Sequence, residues 1–205
     1  MSLISVRLAT PHPGKTALTV ERAHTLGGIY ARYGAKTRIG KVVAGAGAGQ
    51  IYLGLGFEDG KSMGQIFEKV QADPSFAGFQ EQRDTNPSST VTGPEVYRIA
   101  YGQLGQGYPM VVVREYAIPR DKHAGMVALM PEMDALVKAH DINFAAAVPA
   151  YAGDMGIMWA AYYFRSAAHL GASMDGVAIS TEFQSLVTKA SAFGSLKRSW
   201  VISFM

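Results

Sequence analysis

Slid along itself by 107 positions, without gaps, the sequence matches itself. Val6 falls on Val113, Arg7 on Arg114, Lys15 on Lys122, Ala17 on Ala124 and Val20 on Val127. Gly49 meets Gly156, Phe57 meets Phe164, Gly64 meets Gly171, Val70 meets Val177 and Phe76 meets Phe183. The identities are sparse, but apolar runs and turn residues recur in the same register, and that combination marks a duplicated unit. A duplication constrains the architecture more tightly than any single residue does.

Each unit reads as strand, helix, strand, strand, helix, strand. In the first, Ile4 to Ala9 is a short strand bounded by Pro11, Pro13 and Gly14. A helix follows from about Thr19 to Gly34, which suits a C-cap. Lys36 to Val43 and Gln50 to Phe57 are strands joined by the glycine-rich turn 44–49. A second helix starts near Lys61, with a further helical turn from Pro74 after Asp73. Residues 84–94 read as a loop and Glu95 to Tyr101 as the last strand. In the second unit, strands are expected at 110–117, 142–148, 156–164 and 196–204. Its helices are expected at 121–140, interrupted by Pro131, and as a broken stretch over 166–192. The expected fold class is α+β: two tandem ferredoxin-like β-α-β-β-α-β units, residues 1–102 and 110–205, joined by a linker at 103–109. An apolar sheet face left open on each unit would be a large sticky patch, so the two antiparallel sheets should pack face to face.

Composition excludes several functions. Hydrophobic residues make up 48% of the chain and charged residues 17%, which fits a packed core rather than long disorder. The 19 basic residues form no run, so no footprint for nucleic acid is expected. With no cysteine, there is neither a thiolate nucleophile nor a sulfur-bound metal. Residues 142–164 are apolar enough to suggest a membrane span. Pro149, Gly153 and Asp154 at their centre point instead to two strands joined by a turn. No secretory signal is visible in MSLISVRLAT, and a cytoplasmic location is expected.

Few residues stand out as chemistry. AGAGAG at 44–49 would cradle phosphate only if it opened a helix, and a strand follows it, so it reads as a hairpin turn. None of the five histidines is paired at helical metal-site spacing, and no metal is expected. His24 lies just before Gly27-Gly28 and opposite Pro131 in the second unit. A helix loosened there would open a pocket beneath it, with His24 as a proton-transferring catalytic candidate; the alternative is close helix packing. Arg7 and Arg114 are a symmetric pair in the first strands, Arg7 sharing a face with Ser5, and Arg114 with Val112 and Tyr116. Each needs a carboxylate, in a surface or interface ion pair, or an anionic ligand. Glu115 is either a counter-charge or a base in a cleft. Tyr52, Trp159, Tyr162 and Tyr163 sit on the third strands, and the methionines crowd into the second half, as core or as the wall of an apolar pocket.

This pattern resembles the dimeric α+β barrel superfamily in a tandem, fused form. It is similar to the NIPSNAP and antibiotic-biosynthesis-monooxygenase groups within it. The local signature is an apolar helix leading to a Phe: Phe67-Glu68-Lys69-Val70-Gln71-Ala72-Asp73-Pro74-Ser75-Phe76, with a weaker copy from Val177 to Phe183. Haem-degrading members carry a histidine about one turn after that Phe. Gln80 and Val187 stand there, so the resemblance does not extend to haem chemistry.

Two functions follow as expectations. One is a small-molecule-binding barrel, acting on an apolar aromatic compound as a cofactor-independent monooxygenase-like enzyme. Its catalytic candidate is His24, and its ligand-binding candidates are Arg7, Tyr52, Arg114, Trp159, Tyr163 and His169. The other is a non-catalytic, NIPSNAP-like interaction or scaffold protein. The expected partners are an apolar small molecule and a second copy of the chain.

Overall fold

The computed structural model describes residues 2–205, so Met1 of the expected first unit lies outside it. Strands β1 (Leu3–Pro11), β2 (Lys36–Gly45), β3 (Ile51–Phe57) and β4 (Ser89–Gly102) accompany helices α1 (Thr16–Arg32), α2 (Gly60–Gln71) and α3 (Pro74–Thr85). Then come β5 (Met110–Ala117), β6 (Asn143–Tyr151), β7 (Ile157–Phe164) and β8 (Ser195–Phe204). With them are α4 (His123–Ala128), α5 (Met130–Lys138), α6 (Ala167–Asp175) and α7 (Thr181–Ser191). The strands close into one antiparallel barrel in the order β1-β3-β2-β8-β5-β7-β6-β4. The closing contacts are β2 with β8 and β4 with β6. One chain therefore completes the barrel without a second copy.

The offset at which the sequence matches itself is also the offset between the elements. β1 and β5, α1 and α4, β2 and β6, α2 and α6, and α3 and α7 all begin at that same separation. Helix starts repeat for a local reason. The Asp59 carboxylate accepts from the Ser62 amide, and Ser166, at the matching position of the second half, accepts from the His169 amide. Asp73 caps α3 and Ser180 caps α7 in the same way. Each cap satisfies an amide that a helix start would otherwise leave bare.

Strand alternation divides the core into three. Ile4, Val6 and Leu8 of β1 point into the barrel, with Val42, Tyr52, Tyr97, Val111, Val113, Trp159, Tyr163, Trp200 and Ile202. The opposite sheet faces pack under α1–α3 around Leu55, Phe57 and Val70, and under α4–α7 around Phe144, Met158 and Phe164.

Several expectations are borne out and others are corrected. The 44–49 segment is a β2–β3 turn, with Gly45, Gly47 and Gly49 all at positive φ, where a side chain is disfavoured. Residues 142–164 form the β6–β7 pair, and no helix is long and apolar enough to cross a membrane. α1 is not loosened at Gly27-Gly28; it runs unbroken to Arg32. Gly27 is buried because a Cβ there would lie 3.4 Å from Ile39 and 3.6 Å from Leu53, so the glycine lets the helix approach the sheet. Its counterpart is interrupted, α4 and α5 meeting at Leu129 just before Pro131. The expected loop at 84–94 is also corrected. α3 runs to Thr85 and β4 starts at Ser89, its first residues pairing with Leu8 to Pro11 across a register shift that accommodates Gly93-Pro94.

Candidate functional site

Two spaces are candidates. The first, about 50 Å³, lies inside the barrel, walled by Tyr52, Leu104, Trp159, Tyr163, Trp200 and other apolar residues. Two polar devices lie beside it. The Arg38 guanidinium packs over the Phe204 ring, 3.4 Å from its centroid, and donates to the carbonyls of Gly105 and Tyr108. Those bonds hold the connecting segment 103–109 with Leu104 against the barrel interior. Glu115 points inward as well and is 1% exposed. Its two cross-strand neighbours are Trp159 and Arg198. Arg198 reaches it with Nε and a terminal nitrogen at 3.0 and 2.8 Å, and Trp159 donates its indole N–H at 2.9 Å. Tyr97 stacks on Trp159 at 3.7 Å and donates to Glu95. Burial and the neighbouring carboxylates push the Tyr97 hydroxyl well above the ordinary phenol range. Every polar group in this cluster has a partner.

The second space, about 200 Å³, lies outside the barrel, between the second-half sheet and its helices. Val112, Arg114 and Tyr162 form its floor on the sheet side, with Ser199 and Val201 of β8 beside them. Val137, Leu170, Ser173, Met174, Val177 and Phe183 close it from the helix side. Its polar side chains are Arg114, Tyr162, Ser173 and Ser199, and it contains neither carboxylate nor imidazole. The Ser173 hydroxyl donates to the His169 carbonyl, which leaves its oxygen free to accept. Burial raises the Tyr162 hydroxyl above its ordinary range, so this wall is a neutral phenol near neutral pH. Met174 is 61% exposed at the edge of the space, and Ile179 is 71% exposed just beyond the lining residue Ala178. An apolar rim of that kind favours entry of an apolar solute.

The sequence-derived candidates are not brought together. Arg114 alone lines the larger cavity. Tyr52, Trp159 and Tyr163 face the barrel interior on the other side of the sheet. Arg7 occupies the position in the first half that matches Arg114, bonded weakly to Ser5 at 3.4 Å and packed over the Tyr30 ring. Neither arginine makes the ion pair expected of it among the described residues, because the neighbouring helices offer rings, not carboxylates. His24 is exposed on α1 and lines neither space, so its catalytic role is withdrawn. His169 is also removed from the ligand set: its Nδ1 accepts from the Arg165 amide and its Nε2 faces the His140 carbonyl at 2.9 Å. Nδ1 thus ties the ring to the turn between β7 and α6, and Nε2 ties it to the segment before β6, in the tautomer that donates from Nε2. Glu115 is a counter-charge and not a base in a cleft. Where the resemblance would seek a haem ligand, Gln80 and Val187 stand. With no imidazole in the cavity, the residues present do not fit haem ligation by histidine.

Tyr162 was legible only as one aromatic among several, and Val137, Ser173, Met174, Phe183 and Ser199 carried no chemical signal of their own. One signal did exist. In the register of the self-match, Val137 faces Tyr30, Ser173 faces Ile66 and Met174 faces Phe67. The second copy is smaller or more flexible at each of three positions above the same strand face.

No protein-family model matches the chain, and no curated protein matches it. Solved structures do. A candidate monooxygenase from Lactobacillus acidophilus superposes with a TM-score of 0.67 at 8% identity, over 99% of this chain and 93% of that one. An anthrone oxidase-like protein gives 0.67 at 11% identity, over 100% and 91%. An uncharacterised ferredoxin-fold protein from Listeria monocytogenes, related to antibiotic biosynthesis monooxygenases, gives 0.55 at 10% identity, over 100% and 95%. Identities this low establish a shared fold and no more.

Proposed function

Because the chain shares its fold with monooxygenase-like proteins of the dimeric α+β barrel type, we propose that it binds a small apolar aromatic compound in the cavity between β5, β7, β8 and helices α5–α7. We also read the chain as two tandem ferredoxin-like units, 1–102 and 110–205, joined by 103–109. The constant spacing of helix starts and caps supports that division. So do the strand orders β4-β1-β3-β2 and β8-β5-β7-β6, which are one order repeated in the two copies.

The observation that carries the functional reading is the cavity itself: apolar walls, three aromatic rings, an apolar rim and a few polar groups, which is the usual make-up of a small-molecule site. Its volume of about 200 Å³ lies below the common range of about 300–1,000 Å³, so the ligand is small.

In the oxidative form of this reading, the compound supplies its own electrons. An activated CH2 between aromatic groups is oxidised to C=O by one O2, and the second oxygen atom leaves with the two hydrogens as water. The protein's part is to exclude bulk water and hold the ring against Tyr162 and Phe183. No acid or base in the lining is placed to drive a harder reaction. The same absence favours a second form in which the chain binds without turnover, as an interaction or scaffold protein would.

Thermal-shift screening against anthrone, naphthalene and naphthoate, paired with oxygen uptake without added metal or flavin, tests both forms. A ligand at about 100 times its dissociation constant should stabilise the fold by roughly 2.7 kcal/mol. Stabilisation with oxygen uptake supports the enzyme, and stabilisation alone supports the binder. No stabilisation by any aromatic compound overturns the reading.

A further inference from the structure

We propose that Arg114 anchors an ionised oxygen, a carboxylate or phenolate, carried by the apolar ligand of this cavity, and that the first half holds the same site permanently filled by its own Tyr30. The inference rests on the functional reading above and sharpens it to a class of ligand.

Arg114 is a cation in the floor of an apolar space. Its guanidinium carbon lies 5.5 Å from the Tyr162 ring centroid and 5.6 Å from that of Phe183. These contacts orient the planar group but give its N–H donors no protein acceptor. No carboxylate lines the cavity, and among the described residues no hydrogen bond or ion pair reaches Arg114. Glu115, next in the strand, points to the opposite face and is committed to Arg198 and Trp159. A cation kept beneath an apolar cavity with no counter-charge is a feature that a ligand anion would complete.

The first half shows the completed arrangement. Arg7 matches Arg114 in the strand register, since β1 and β5 start at the offset that relates the two copies. The match extends to the helices: Ala35 bonds back to the Tyr30 carbonyl as Ile142 bonds back to the Val137 carbonyl. Tyr30, in the place of Val137, lays its ring 5.7 Å from the Arg7 guanidinium carbon. Burial lowers the Arg7 pKa, and the Tyr30 hydroxyl opposes that shift. Phe67, in the place of Met174, packs edge-on against Tyr30 at 5.8 Å and against Phe57 at 5.7 Å. Ile66 stands where Ser173 opens the second half. An aromatic ring bearing an oxygen therefore already sits over the arginine in one half. In the other, three smaller or more flexible residues leave room for a ring from outside.

Calorimetric titration with naphthalene, 1-naphthoate and 1-naphthol, the last at neutral and alkaline pH, tests the proposal. The intact chain should bind one equivalent of naphthoate at least tenfold more tightly than naphthalene. If naphthol gains affinity only when ionised, phenolates join the accepted class; if it does not, the class narrows to carboxylates. Arg114→Met should erase the preference for the anion while naphthalene still binds. Val137→Tyr should insert the first-half plug and abolish binding of both. Ser173→Ile serves as a second plug should Val137→Tyr not fold. Tyr30→Val should uncover Arg7 and raise the naphthoate stoichiometry from one to two. Naphthalene and naphthoate binding equally, or an anion preference that survives Arg114→Met, overturns the role of Arg114 alone. Binding of neither overturns the functional reading as well.

Discussion

Removing Arg198 should cost more stability than neutralising Glu115, although the two form one pair. Arg198 is half exposed and Glu115 is 1% exposed. Arg198→Ala leaves a carboxylate inside the barrel with only the Trp159 indole and the more distant Lys197 ammonium, 3.9 Å away. Losing a partner in a fully buried pair costs about 3–5 kcal/mol; with Lys197 and water at the mouth, about 2–3 kcal/mol is expected. Glu115→Gln frees a cation that water can solvate and keeps an acceptor for the indole, so about 1 kcal/mol is expected. Urea unfolding of both variants gives the order, and a reversed order removes this account of the cluster. Asp73 offers a pH test. Arg32, held at 2.5 Å, and the Ser75 amide draw its carboxyl down to about 2 from 3.8. A depressed carboxyl stabilises the fold above its unfolded pKa, and that contribution is lost as pH falls from about 3.8 toward about 2. Asp73→Asn keeps the helix cap but not the charge. The stability gap between native and variant should therefore close over that window in pH-resolved unfolding, and a constant gap would contradict the linkage.

Among the elements, α1 shows how one glycine can be required and its neighbour dispensable. A Cβ on Gly27 meets Ile39 and Leu53, whereas one on Gly28 meets nothing within 4 Å. Gly28→Ala should raise stability by about 1 kcal/mol through helix propensity alone. Gly27→Ala should gain less or lose, because Ile39 must give way. Thermal melts of the two variants separate these outcomes, and an equal gain from both would mean that α1 does not press on the sheet there. The Gly27-Gly28 pair illustrates what the sequence could and could not tell. Two glycines in a helical run signal either a break or a close approach, and only the side chain opposite decides between them. The strands were more legible, since alternation correctly put Arg7 with Ser5 and Arg114 with Val112. The start of β4 was not, because Ser89 to Pro94 has a loop's composition and becomes strand only by pairing with β1. The cavity was the least legible feature: it consists of volume missing at Val137, Ser173 and Met174, and single residues carry no record of missing volume. Comparison of the two copies does.

At the scale of the molecule, closure of the barrel removes sheet edges. Residues of the first half end in two exposed edges, β2 and β4, which the whole chain covers with β8 and β6. Open edges and an uncovered apolar face, Val6, Val42 and Tyr97 among it, make an isolated half unstable as a monomer. The strand order offers a way out, because β2 pairs with the fourth strand of the other half and β4 with its second. Two copies of residues 1–102 can therefore satisfy each other's edges. That fragment should appear as a dimer or as aggregate in size-exclusion chromatography. Its barrel would lack the Glu115–Arg198–Trp159 cluster and, with Tyr30 in both copies, any opening over the arginine. Mixed with residues 103–205, it should exchange into a one-to-one complex, because only that pairing restores both the stacking of Tyr97 on Trp159 and the segment bound by Arg38. The complex should recover naphthoate binding at a single site, which the first-half dimer should lack. A folded monomer of residues 1–102 would mean that neither sheet needs the other, and the division of the chain at 103–109 would then mark two independent domains rather than two halves of one barrel.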